Sequence, residues 1–594
     1  MILSPTRLLI IIFIFFNFAH VAFAAAPKSL KLEVRIEKNS PMQKALIEFA
    51  KELEETAKIN KTTNQLEYWE NKGKELFDKL LKSEGYYANN IDTEIPESGI
   101  NSIIFHISSG QIYKISKITL NHVEGSNRNI SLPQVSDLKI KQGQFAIATS
   151  VIEAQEKILK YTENDNCLLS LTVAHEAIIN HLDAGVEINF LVNAGPTATI
   201  ENVSFRGLKQ VHAEYARKLS GLKDGQCFRN SYIVKSRDKL QRSGLFASTN
   251  PAIPSETNKD GSVPVIFNLT ERKARSLKAG VNYGTDLGAG ANLGWEHRNF
   301  FGNGEKVQAD LFGNKKEQLF ELNYSKPFFK RDDQTLQLGL KLENRRLKSF
   351  ESKEASVSAS LERELSDTCS GGLGTKLSHA KVKETTANTS DDFSLLSIPL
   401  FIENDTRNNI LDPKRGYELQ LDTAPYFSLQ KTEKPFLKTE ISGSTYMTFA
   451  TTLKHVLAVR GAVGSILGRK SAKIPPTERF YVGGGSSLRG YSYQMAGMLD
   501  SQNRPLGGRS FVETSVELRI KLTKTMGVVG FLDSGFSYTT ILPNAKEKLL
   551  HGAGFGLRYI TNFGPIRADI AFPLKRRKSI DNAFQLYFGI GQTF

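Results

Sequence analysis

The chain has 594 residues, room for several domains, and its 40% hydrophobic and 23% charged content excludes a disordered polymer. The formal charge of +15 is dispersed; its one tight cluster, Lys575, Arg576, Arg577 and Lys578, suits a solvated turn or contact with anionic lipid better than nucleic acid. Cys167, Cys227 and Cys369 lack metal-ligand spacing, and sequence leaves open whether two of them pair, and which.

In chain order, residues 1–24 read as a secretory signal peptide. Arg7 precedes an apolar run over 8–18, and Ala22-Phe23-Ala24 offers a small-x-small cleavage pattern. The run is shorter than the ~20 residues of a spanning helix, which disfavours a retained anchor. No later stretch is long and apolar enough for a membrane helix, leaving export in soluble form or a β-barrel.

From 25 to about 272 helical and extended patterns alternate. A strand is expected over 30–37. Leu46, Ile47, Ala50 and Leu53 form one helical stripe, and Leu66, Trp69, Leu76 and Leu80 a second. Strands follow at 102–108 and 112–120. A second unit has a helix over 150–161 and strands over 168–174 and 184–192. A third has a strand at 199–205, helices at 211–219 and 231–242, and a strand at 263–269. A helix-helix-strand-strand unit thus recurs every ~75–85 residues, the scale of small stacked domains.

After about 273 the period becomes two. Leu277, Ala279, Val281 and Tyr283 alternate with Lys278, Gly280, Asn282 and Gly284. Leu336, Leu338, Leu340 and Leu342 alternate with Gln337, Gly339, Lys341 and Glu343. Such alternation over roughly 320 residues without helices exceeds what a soluble sandwich sustains. It fits a closed antiparallel barrel with lipid outside and a polar lumen.

Three stretches add more than pattern. The first runs Arg479 to Tyr491 and contains Gly484, Gly485, Leu488, Arg489, Gly490 and Tyr491. An arginine among turn-forming glycines could be fixed by a carboxylate matching its planar fork; the stretch could equally be an ordinary Gly-rich extracellular loop. The second supplies acids: Glu517 in a strand over 511–520, and Asp533 in F-L-D-S-G. Both could instead merely solvate the lumen. The third, Asp405-Thr406-Arg407 followed by Asp412-Pro413-Lys414-Arg415-Gly416, reads alone as a polar turn.

In this order the stretches resemble the outer-membrane POTRA-barrel assembly proteins, the family of BamA and TamA. The D-x-R…D-P-x-x-G turn, the G-G…L-R-G-Y loop, the S-x-E-L and F-x-D-x-G strands, and the end over 554–571 carry the resemblance. Three units before the barrel look most like its TamA branch. The resemblance implies α+β periplasmic POTRA domains at 25–112, 113–196 and 197–272, then a 16-stranded outer-membrane barrel over 273–594. It implies a sixth extracellular loop folded inward, with Arg489 held against Glu517 and Asp533. It also implies a weak lateral seam between Lys278, Gly280, Val281 and Tyr283 of the first strand and Gly589, Ile590, Gly591 and Phe594 of a last strand over 586–594. Gly589 and Gly591 either weaken that strand or relieve crowding inside the barrel. Leu488 stands where the family more often has Val or Ile, and Gln592 where it usually has an apolar residue.

The implied function is insertion or translocation of β-barrel and autotransporter-type clients. Its partners would be unfolded outer-membrane proteins, the lipid bilayer and a TamB-like inner-membrane-anchored periplasmic protein. The alternative is a two-partner-type transporter passing one dedicated substrate through the lumen. A passive pore is a third reading. Enzymatic motifs such as G-x-S-x-G, H-E-x-x-H or a phosphate loop do not occur, and the ten histidines are scattered, so neither catalysis nor a cofactor nor a metal is expected.

Overall fold

The structure, a computed structural model, describes residues 31–36, 41–56, 63–96, 102–385, 387, 389–430, 434–449, 455–523, 525–544, 547, 549–561 and 564–594. The expected signal peptide lies outside them. The chain divides into two compact bodies: Met1–Thr199 with Cys227–Asn230 and Ser255–Val263, and the remainder.

In the first body, β1 (Lys31–Ile36), α1 (Gln43–Thr56), α2 (Thr63–Ser83), β2 (Asn90–Glu94) and β3 (Ser102–Ser108) form a unit with sheet order β1-β3-β2. β1 runs parallel to β3, and β2 antiparallel to it. Leu46, Ala50, Leu53, Phe77 and Leu81 bury the helical stripes against Leu32, Ile103, Phe105 and Ile107. This packing, more than propensity, stabilises such short helices.

The second unit repeats that order as β4-β6-β5, from β4 (Lys114–His122), β5 (Leu171–Asn180) and β6 (Gly185–Ala194). It has one α-helix, α3 (Ala148–Asp165), where the repeat pattern predicts two. A 3-10 turn, Val135–Leu138, takes the first helix's place and ends at Lys139 in the left-handed region. Pro133 in front and Lys139 behind leave too few residues for a longer helix. The strand expected over 168–174 begins at Leu171; Leu168 instead bridges Thr197. A disulfide joins Cys167 to Cys227, leaving Cys369 free.

The third sheet again has the order first-third-second: β7 (Thr199–Arg206), β9 (Ser262–Glu271), β8 (Phe246–Ala252), with α4 (Ala213–Ser220) and α5 (Asn230–Arg242) between β7 and β8. Asn250 and Pro251 disguise β8 in the sequence; Pro251 is tolerated because β8 is an edge strand.

From Arg275 the chain forms one closed antiparallel barrel. Its first strands are short: β10 (Arg275–Gly284), β11 (Gly288–His297), β12 (Lys306–Gly313) and β13 (Glu317–Lys326). Next come β14 (Gln334–Arg346), β15 (Phe350–Glu364), β16 (Cys369–Glu384), β17 (Thr389–Ser397), β18 (Leu400–Asp405), β19 (Gly416–Ser428), β20 (Phe436–Phe449) and β21 (His455–Leu467). The last are β22 (Ser510–Lys521), β23 (Met526–Tyr538), β24 (Leu550–Thr561), β25 (Gly564–Pro573) and β26 (Gln585–Ile590). Both β17 and β18 pair with β16 on one side and β19 on the other, so they are one strand interrupted at Ile398-Pro399. The barrel therefore has 16 strands, as the resemblance implies.

Leu277 and Val281 are 83% and 76% exposed on the outer wall. Leu338↔Ala359 and Leu340↔Val357 extend that apolar surface between β14 and β15. Such a belt over a polar lumen is the mark of a barrel solvated by lipid. Among the described residues no helix is long and apolar enough to cross a membrane.

Within the second body, α4 and the residues before it rest on the barrel turns after β11 and β13. Gln210 O accepts from Asn299 Nδ2 at 2.9 Å, the His212 N–H donates to Gly302 O at 2.8 Å, and Tyr215 packs on Phe328. Burial pushes the Tyr215 hydroxyl up to about 12, reinforced by Glu305. These contacts mark the arm end of the barrel; the long loop over 468–509 leaves from the far end.

Candidate functional site

That long loop does not extend outward. Phe480, Val482, Leu488, Tyr491 and Ala496 are buried with Ala462, Ile466, Phe511, Phe536 and Tyr538 of the wall. An apolar segment flanked by barrel residues of the same kind has this one place to hide from water. Its neck is closed by paired hydrogen bonds between Phe480 and Gly508, 2.9 and 2.7 Å. The loop folds tightly around Gly484, whose N–H donates toward Leu488 O and Tyr491 O. Gly485 faces the Tyr587 ring, and the Gly490 N–H donates to Tyr587 Oη at 3.4 Å. Tyr491 Oη donates to His551 O and Lys575 O. Leu488 is wholly enclosed, part of the apolar packing that holds the loop inside.

At the tip Arg489 is 1% exposed and directs most of its fork to the wall. Nε donates to Asp533 Oδ2 at 2.7 Å and Nη2 to Asp533 Oδ1 at 2.8 Å, a bidentate pair. Nη1 donates to Glu517 Oε1 at 2.7 Å, and the Arg489 backbone N–H also reaches Asp533. Ser515 Oγ donates to Asp533 Oδ1 at 2.6 Å. The guanidinium lies 3.5 Å from the Phe531 ring centroid. Two acids and one arginine, all desolvated, pair tightly because removing any one would strand the rest. Gly552 of β24 makes the approach possible: a Cβ there would lie 1.9 Å from Arg489 O. Arg489, Glu517 and Asp533 are thus brought together.

The cluster is larger than the three residues singled out in the sequence. Asp569 of β25 takes Arg558 Nη1 at 2.5 Å and lies 3.9 Å from Arg567 and 4.0 Å from Arg489. Arg519 pairs with Glu517 at 3.0 Å. Period two marks all of these as lumenal, but nothing in it says that β22 to β25 stack their charges at one height.

The second feature is the closure. β10 and β26 meet in only two register pairs, Tyr283↔Phe588 and Gly284↔Tyr587. β25 and β26 share six, and β10 and β11 ten. Thr285 adds a hydrogen bond to Leu586 O at the far end. Lys278, Gly280 and Val281 have no register partner on β26; Lys278 turns to Glu296 at 3.4 Å. Gly589 and Ile590 pair only with β25. The strand expected over 586–594 stops at Ile590. Gly591 sits at φ +91°, a conformation that other residues rarely adopt. It turns Gln592, Thr593 and Phe594 into the lumen. Gly591 and Phe594 are therefore not part of the seam's ladder.

A family model for the Omp85 superfamily domain matches residues 299–594, and one for POTRA, the surface antigen variable number repeat, matches 198–272. The chain belongs to the Omp85 superfamily. It is 22% identical over 540 residues to the outer membrane protein assembly factor BamA of Nitratidesulfovibrio vulgaris, covering 85% of this chain and 65% of that one. It is 23% identical to the chloroplastic outer envelope protein 80 of Arabidopsis thaliana, covering 66% and 57%. The chain thus spans less than two thirds of the length of these relatives. In fold, its Omp85 barrel with preceding domains is similar to BamA from Haemophilus ducreyi lacking POTRA domains 1–3, with TM-score 0.62, 21% identity, and 80% and 100% of the two chains covered. It is also similar to CdiB from Acinetobacter baumannii, with TM-score 0.51, 13% identity, and 90% and 99% covered.

Proposed function

We propose that this Omp85 protein sits in a Gram-negative outer membrane with its arm in the periplasm, and inserts β-barrel and autotransporter-type clients through the β10–β26 seam. The observation that carries the reading is the two-pair closure. Residues 275–282 of β10 have no partner on that edge among the described residues. Unpaired N–H and C=O groups facing lipid are costly, so the edge is a template for an incoming strand. A client strand adding to it satisfies both chains at once, and no covalent bond changes. The wall is also low there: β10 to β13 have 8–10 residues, β15 and β16 have 15 and 16. A short wall thins the adjoining bilayer, which lowers the barrier to insertion.

Arg489, with Glu517 and Asp533, holds the inward loop against the wall beside the seam, so the barrel keeps its shape while the seam parts. The finer reading is a TamA-type factor working with a TamB-like inner-membrane-anchored partner. Three arm units of like topology support it. Depletion of the protein followed by an inventory of outer-membrane proteins tests the function. Loss of several unrelated barrels is expected. Loss of a single secreted protein would instead make this a two-partner-type transporter. Co-purification of an inner-membrane-anchored periplasmic protein with the intact arm tests the partner.

A further inference from the structure

The turn over 405–416 and the inward segment over 591–594 have no part in the function proposed above, yet they bind each other. Gln592 donates its backbone N–H to Leu411 O at 3.4 Å and its side-chain Nε2 to Asp412 Oδ1 at 3.0 Å. Its Oε1 accepts from Arg558 Nε at 3.0 Å. Thr593 Oγ1 accepts from Arg567 at 2.7 Å and Arg489 at 3.2 Å, and Phe594 O from Arg519 at 2.8 Å. The turn is built to present its half. Asn409 Oδ1 accepts the N–H groups of Leu411 and Asp412, Asn408 Oδ1 those of Lys414 and Arg415, and Arg407 braces Asp405 and Glu418.

We propose that this turn and the lumenal arginines form a latch on Gln592 and Thr593 that keeps the last strand from zipping along β10. The inference rests on the reading of the seam as the working edge. Antiparallel register adds to a constant, since 283 and 588 sum to the same value as 284 and 587. Continued, it would set Val281 opposite Ile590, Ala279 opposite Gln592 and Leu277 opposite Phe594. Phe588 and Ile590 point outward, 46% and 56% exposed. By alternation Gln592 and Phe594 would follow them into lipid. Phe594 suits that position. Gln592 does not, because its side-chain amide would lose both its partners, Asp412 and Arg558, and find none in hydrocarbon. Gln592 is therefore the residue that decides between the two paths. Latched, the segment leaves six β10 positions, 277–282, open to a client strand; released, it covers them.

The test uses the full chain in proteoliposomes, with Cys369→Ser and the Cys167–Cys227 bridge left in place. Oxidation of Val281→Cys/Ile590→Cys is timed against Val281→Cys/Ala291→Cys, a pair already in register. The latch predicts slow cross-linking in the parent and a rise of about tenfold with Gln592→Leu, the scale set by exposing an unpaired amide to lipid. An unchanged rate overturns it. Should Gln592→Leu fail to fold, Asp412→Ala removes one contact and must raise the rate less, in the same direction; no rise again overturns the latch. Client assembly is measured in parallel. Faster cross-linking with undiminished assembly keeps the latch and removes the strand-exchange reading, whereas unchanged cross-linking removes the latch alone.

Discussion

The β22–β25 wall and the β10–β26 seam are two parts of one sheet held by opposite means. Along the wall, register runs ten to twelve pairs between neighbours, and a buried charge cluster ties Arg489 to Glu517 and Asp533. At the seam two pairs suffice. What closes the barrel there is the interior: Gly485 and Gly490 of the loop against Tyr587, and the charge cluster behind them. A barrel whose closure depends on its contents can part its wall without unfolding.

Removing the difference between the two regions has the largest expected effect. A disulfide formed between Val281→Cys and Ile590→Cys turns the seam into wall. Client assembly should fall to the level of a depleted strain and return on reduction. Full assembly by the cross-linked protein would rule out a lateral gate.

Next comes the wall's own anchor. Arg489→Ala leaves Asp533 buried without its cation and Glu517 with Arg519 alone, a loss of about 3–5 kcal/mol. The loop should become protease-sensitive and the barrel should lose its heat-modifiable mobility at a lower temperature. Arg489→Lys keeps the charge but not the fork, so it should fall between the two. Protease resistance equal to the parent's in Arg489→Ala would remove the assigned role.

The smallest effect sharpens the contrast from the other side. Tyr283→Ala deletes the ring that meets Phe588 at 6.2 Å. It is 45% exposed, and a pair of this kind is worth about 0.5–1.5 kcal/mol. Barrel melting should barely move while client assembly changes. A large drop in melting would mean that the seam is a structural joint after all.

Much of this was legible beforehand for identifiable reasons. Alternation is local, so β10 and β14 could be read from one strand's worth of residues. The arginine loop was legible only through the order of motifs it shares with the family; alone, the stretch reads equally as an ordinary Gly-rich extracellular loop. Asp569, Arg558, Arg567 and Arg519 escaped. Each lies on the polar face of its own strand, and only the stagger between neighbouring strands puts them at the height of Arg489. The missing helix of the second arm unit was hidden by a repeat that suggested two; Pro133 was the available signal. Gln592 is out of place in a lipid-facing strand, and the last strand ends before it, at Ile590.

The sequence by itself determined the lipid-facing side of strands such as β10 and β14, and the recurring units of the arm. Hydrophobic period and residue chemistry are properties of neighbours along the chain. The tertiary structure alone decided how many residues join the first strand to the last, and that 591–594 turn inward. Closure pairs residues some 300 positions apart, and no local pattern records how far such a pairing runs.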